Sequence, residues 1–169
     1  MPNSNLQFDF LVNKENNTIT VVREFAAPRP LVWDCYTKSE LLDQWFAPKP
    51  WKTRTQNMDF TEGGHWLYAM CGPEGEEHWG RMDYVTIQPK DSFSAWDGFC
   101  DQEGKLNEQL PRAAWRSDFA DKSGHTLVTT EVTYNALSDL ETVIEMGMIE
   151  GLTMAMEGLD TLIDDLKKN

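Results

Sequence analysis

The stretch SDLETVIEMGMIEGLTMAMEGLDTLIDDL, residues 138–166, decides the fold. Leu140, Ile144, Met148, Leu152, Leu159, Leu162 and Leu166 follow one another at steps of three, four or seven, which lie along one side of a helix. The spacing predicts a single long amphipathic helix from Ser138 to Leu166 with that side buried. Ser138 reads as its N-cap, Glu141 completes a capping box, and Asp139 sets negative charge beside the positive end of the helix dipole. Lys167 and Lys168 give the far end the opposite sign. Gly147 and Gly151 each cost about 1 kcal/mol relative to alanine in a helix interior. Close approach of a sheet, or room left for something else, would offset that cost.

Ahead of this helix the pattern is β-like. Thr18 to Phe25 is rich in β-branched residues and reads as the first strand. Pro28 and Pro30 end it, and Leu31 to Tyr36 and Leu41 to Phe46 read as two short helices with Ser39 as a cap between them. Six further strands are expected at about Trp51 to Asp59, His65 to Cys71, His78 to Ile87, Ser92 to Phe99, Ala113 to Ala120 and Thr126 to Tyr134. Gly63-Gly64, Gly72-Pro73, Pro89 to Asp91, Asp101 to Pro111 and Asp121 to Gly124 separate them. Short connections between neighbours call for an antiparallel meander. The class is therefore α+β: a curved antiparallel sheet of about seven strands wrapped around a long C-terminal helix, with two short helices after the first strand. Residues 1–17 are an N-terminal arm, its apolar patch at Phe8 to Val12 either an edge extension or a frayed end, and 18–169 form one domain.

Composition narrows the function. With 28 acidic against 15 basic residues and a formal charge of −13, the chain has no basic cluster to neutralise phosphates, so a nucleic-acid partner is not expected. No segment is long and apolar enough for membrane insertion, and residues 1–10 lack the pattern of a signal peptide. Cys35, Cys71 and Cys100 are an odd, widely spaced set, which reads as reduced thiols in a cytoplasmic protein.

A sheet curved about a helix buries two apolar faces and leaves space between them. The strands supply Trp66, Tyr68, Met70, Met82, Tyr84, Trp96 and Trp115, and the helix supplies Met148, Gly151 and Leu152. Alternation sets Trp66, Tyr68 and Met70 on one face. Thioethers on the helix adapt to irregular shapes. These ten residues are the expected lining of a cavity for a small, largely apolar molecule. Arg81, Asp83, Arg116, Asp118 and Glu131 read as the solvated face, and Arg116 or Glu131 is the first choice for a charge turned inward to orient a ligand. His65, His78 and His125 show neither HxH nor HExxH spacing, and no GxSxG, GxGxxG or P-loop string is present. No catalytic residue, metal ligand or cofactor is called for. The Asp101 to Pro111 loop is either a flap over the pocket mouth or an ordinary hairpin loop.

Several motifs resemble those of the family of the Hsp90 ATPase activator C-terminal domain, within the START-like (SRPBCC) superfamily. They are Arg23 to Ala27 leading into Pro30-Leu31-Val32-Trp33 and Tyr36-Thr37; Glu40-Leu41-Leu42 with Gln44-Trp45-Phe46 and Pro48; Gly63-Gly64 with Trp66 and Tyr68; Gly80; Ile87 to Pro89; and Glu150-Gly151 with Leu159, Leu162 and Leu166. The resemblance covers Thr18 to Leu166. It implies a helix-grip fold with a cavity in which members of the superfamily bind lipids, hormones, polyketides or other apolar molecules, while some relatives are cyclases or hydrolases and others chaperone-associated modules. The chain departs from the chaperone activator in lacking the separate N-terminal domain found there. A chaperone partner and a cofactor-independent cyclase or dehydratase activity therefore rank behind a small apolar ligand, and pairing as a homodimer is left open.

Overall fold

A computed structural model describes residues 6–168 of the chain. Its order is β1 (Phe8–Asn13), β2 (Thr18–Phe25), α1 (Arg29–Thr37), α2 (Ser39–Trp45), β3 (Lys52–Met58), β4 (His65–Cys71), β5 (Glu77–Gln88), β6 (Ser92–Cys100), β7 (Ala113–Lys122), β8 (His125–Tyr134), α3 (Leu137–Glu145) and α4 (Met148–Lys167). The strands form one antiparallel sheet in the order β1-β2-β8-β7-β6-β5-β4-β3. Short turns make β3 to β8 a meander, and the α1–α2 pair carries the chain from β2 to the opposite edge at β3. Extra residues between Thr55 and Asn57 and between Tyr84 and Thr86 shift the register and bend those strands, as bulges do.

Alternation decides which side chains meet the helices. Val21, Val128, Val132, Phe93, Ala95, Trp66, Met82 and Tyr84 share one buried core with Leu140, Met156, Leu159 and Ile163. Trp33 of α1 lies edge-on to Phe60, Phe93 and Phe119, with centroids 5.0 to 5.9 Å apart, the arrangement that ring quadrupoles favour.

The α+β class and the curved antiparallel sheet are as expected, with eight strands against about seven because the edge-extension alternative holds: Phe8 to Asn13 pairs along β2 from Phe8↔Arg23 to Asn13↔Thr18. Much of the expected arm is thus an edge strand, and residues 1–5 lie outside the described part. Two further expectations are corrected. The terminal helix is two helices, not one. Gly147 takes φ 92°, and the Met146 and Gly147 N–H groups fold back onto the Thr142 and Ile144 carbonyls, so α3 ends before α4 begins. The apolar spacing runs straight through this break, which is why periodicity alone reads it as continuous. The capping residues also differ: α3 starts from Ala136 and α2 from Lys38, neither with a side-chain cap, and Ser138 and Ser39 lie within the first turns.

Candidate functional site

The space between the sheet and α4 is not fully closed. An inner hollow of about 50 Å³ adjoins an outer one of about 310 Å³. Phe46, Met82, Trp115 and Leu152 border both. A third hollow of about 80 Å³ continues past Tyr68, Met70 and Asp97 towards His78.

The walls are aromatic. Trp66 and Tyr68, two apart on β4, stack at 4.1 Å, and Phe46 stands edge-on to both at 5.0 and 5.5 Å. Trp66 Nε1 donates to Thr55 Oγ1 at 3.0 Å, and Thr55 Oγ1 donates to Asp43 Oδ1 at 2.6 Å, which ties the ring to α2. On the inner floor the hydroxyls of Ser117 and Thr130 are 3.0 Å apart and satisfy one another across β7 and β8. Met148, Gly151 and Leu152 of α4 form the roof. A Cβ built on Gly151 meets nothing within 4 Å, so this glycine leaves room rather than permitting close packing. Pro48, Pro111 and Met146 are the outer border.

Of the ten expected lining residues, Trp66, Tyr68, Met70, Met82, Tyr84, Trp115, Met148, Gly151 and Leu152 border these hollows. Trp96 does not. It is 38% exposed and faces the 106–112 segment on the other side of the sheet. Phe93 and Ala95 are buried on the inner face, so period two puts Trp96 outside and Asp97 inside. Arg116 and Glu131 also point away: they are register partners on adjacent strands, both exposed, and Arg116 pairs with Asp118 at 3.0 Å.

Asp97 is the inward charge that the sequence reading missed, and the alternation from Phe93 was the signal for it. Its Oδ1 accepts the Ala113 N–H at 2.7 Å and its Oδ2 the Trp115 indole N–H at 2.6 Å. Burial pushes its carboxyl above the ordinary value, outweighing these two donors and the charge of Arg112. The Tyr68 and Tyr134 hydroxyls are likewise raised, by burial first and by the Asp97 charge next. Tyr134 Oη is 3.5 Å from Met148 Sδ.

The 101–111 loop is pinned outside. Arg81 Nη1 donates to the Gly104 carbonyl at 2.6 Å, Asn107 N–H donates to Phe99 O at 2.8 Å, and Leu106 bridges to Cys100. Only Pro111 of this loop borders the outer hollow. The histidines are dispersed: His65 and His78 are exposed, His78 lies 5.2 Å from the Trp51 ring, and His125 Nδ1 is 2.7 Å from Glu24. Among the described residues no group of three His, Cys, Asp or Glu side chains is placed to hold a metal ion, and no helix is long and apolar enough to cross a membrane.

This architecture recurs in solved structures. A crystal structure of a Mycobacterium smegmatis protein is 30% identical, with a TM-score of 0.85 over 93% of this chain and 96% of that one. A solution structure of an Arthrobacter aurescens protein is 27% identical, with a TM-score of 0.88 over 93% and 91%. One from Staphylococcus epidermidis is 27% identical, with a TM-score of 0.81 over 91% and 93%. No curated protein matches the chain. The family described as activator of Hsp90 ATPase homolog 1-like protein matches residues 26–164, the whole span from the end of β2 through most of α4. The chain belongs to that family.

Proposed function

We propose that the protein binds a small, largely apolar molecule between the sheet and α4. The observation that supports this most strongly is the outer hollow, about 310 Å³ in volume and walled by aromatic rings, thioethers and the open side of Gly151. That volume is at the lower end of ligand pockets, roughly 300 to 1,000 Å³. Each Å² of apolar surface that a ligand buries here is worth about 25 cal/mol before association costs. Free thiols at Cys35, Cys71 and Cys100 suit a reducing compartment such as the cytoplasm. Titration with a neutral apolar dye such as Nile red tests the reading. It predicts saturable binding of one dye per chain with a blue-shifted emission, lost in Gly151→Phe while the circular dichroism spectrum is kept. Absence of saturable binding to the wild type overturns it.

A second reading, an interaction module that stimulates a chaperone ATPase, is favoured by the description of the family and by no feature of the hollow. Stimulation of Hsp90 ATPase activity by the purified protein, unaffected by Gly151→Phe, is what it predicts.

A further inference from the structure

The outer hollow is lined mostly by apolar side chains, and Asp97 of β6 is the charged residue among them, beside the phenols of Tyr68 and Tyr134. Its two oxygens each take one N–H, from Ala113 and from Trp115, which leaves further lone pairs on both. Among the described residues it has no ion-pair partner. Arg112, whose charge reaches Asp97, makes its hydrogen bonds elsewhere: Nε donates to the backbone carbonyl of Asp97 at 2.7 Å, and Nη2 holds Asp83 Oδ2 at 2.5 Å. Asp83 is in turn clasped by Arg81 at 2.7 Å. The arginines of this region thus neutralise an acid on the outer face and leave the inner one unmatched.

Asp97 is partly buried, and a carboxylate drawn part-way out of water without a cation beside it is costly unless something compensates it. Around Asp97 the rings of Tyr68, Trp115 and Phe99 border the same hollow, Trp115 with its indole N–H on the carboxylate, and the Tyr68 hydroxyl has no hydrogen-bond partner among the described residues. Carboxylate, free phenol oxygen and aromatic rings are the groups that receive an ammonium, by charge-assisted hydrogen bonds and by attraction to ring faces. A carboxylate ligand would meet repulsion here. A neutral alcohol would gain a hydrogen bond and no charge pairing.

We propose that the molecule bound in this hollow is an amine on an apolar body, its ammonium seated against Asp97. The proposal rests on the apolar-ligand reading and narrows it. The overall charge of −13 attracts any cation to the surface, so the specific contribution must be separated from that general one.

The experiment is isothermal titration with n-octylamine, n-octanol and n-octanoate, which share one apolar chain and differ only at the head. The wild type is expected to bind octylamine about tenfold more tightly than octanol, with octanoate weakest, as a desolvated charge-assisted bond requires. Asp97→Asn is expected to erase the gap between amine and alcohol, because the amide offers no charge for the ammonium to pair with. Retention of the amine preference in Asp97→Asn overturns the proposal. Octanol binding without amine preference in the wild type overturns it and leaves the apolar-ligand reading standing; no binding of any of the three overturns both. Should Asp97→Asn not fold, the wild type decides alone: a pocket pair persists in high salt, so an amine preference that vanishes there is surface adsorption and sinks the proposal.

Discussion

Arg23 of β2 and Asp160 of α4 form an ion pair inside the protein, their side chains only 5% and 9% exposed. The guanidinium also donates to the Glu24 carbonyl at 2.7 Å and lies 4.9 Å from the rings of both Phe8 and Phe25. This pair joins the second strand of the sheet to the helix that roofs the hollows. Removing one partner strands a charge in the core, so Asp160→Ala is expected to lower the unfolding free energy by about 3 to 5 kcal/mol. The double replacement Arg23→Met with Asp160→Leu is expected to recover most of that loss. Urea denaturation measures both, and a loss below about 1 kcal/mol in Asp160→Ala would show that the pair is not buried as described.

Glu24 is held at about 2, below its ordinary 4.5, by His125 first, then by the Gln7 backbone N–H and Lys122. A carboxyl depressed by folding stabilises the folded state above its unfolded value and loses that contribution as pH falls through its folded one. The wild-type melting temperature is therefore expected to drop between pH 4.5 and about 2. Glu24→Gln should flatten the profile across that window, and an unchanged slope in the variant would argue against this assignment.

The two helix glycines predict opposite outcomes. Gly151→Ala meets open space and removes a poor helix former, so it is expected to stabilise by roughly 0.5 to 1 kcal/mol. Gly147→Ala must adopt φ 92° at the break between α3 and α4, and is expected to destabilise by about 1 to 2 kcal/mol. Thermal or chemical unfolding of the two variants, compared directly, checks the signs.

Burial pushes the Cys35 thiol up to about 12, and its side chain is fully enclosed. Cys71 and Cys100 are half-buried. Labelling with a disulfide reagent is expected to modify at most two thiols in the native protein and the third only on unfolding. Rapid reaction of all three would contradict the placement of α1 in the core.

What was legible in advance follows from how strongly each feature is coded locally. Strand positions emerged to within one or two residues because β-branched runs and Gly or Pro turns carry that information in a few residues. Strand alternation places Trp66, Tyr68 and Met70 on the hollow, and the apolar side of the helix places Met148 and Leu152, whereas Met82, Tyr84 and Trp115 are picked out by side-chain size alone. Ring size alone does not place Trp96, because Phe93 and Ala95 set the inner face, turning Trp96 outward and Asp97 inward. The break at Gly147 was hidden because Ile144 and Met148 keep helical spacing on either side of it. Phe8 and Phe10 alternate and pack partly against the core while Leu11 and Val12 stay exposed, a pattern too short to decide between an edge extension and a frayed end without the backbone pairing along β2.

A ligand between the sheet and α4 would sit against methionine methyl groups, which report on it directly. Met70, Met82 and Met148 border the outer hollow, whereas Met154, on the same helix as Met148, is 48% exposed to solvent. In a carbon-13 methyl spectrum titrated with n-octylamine, the resonances of Met70, Met82 and Met148 are predicted to shift and saturate together while that of Met154 stays in place. Shifts confined to Met154, or none at saturating ligand, would contradict the account.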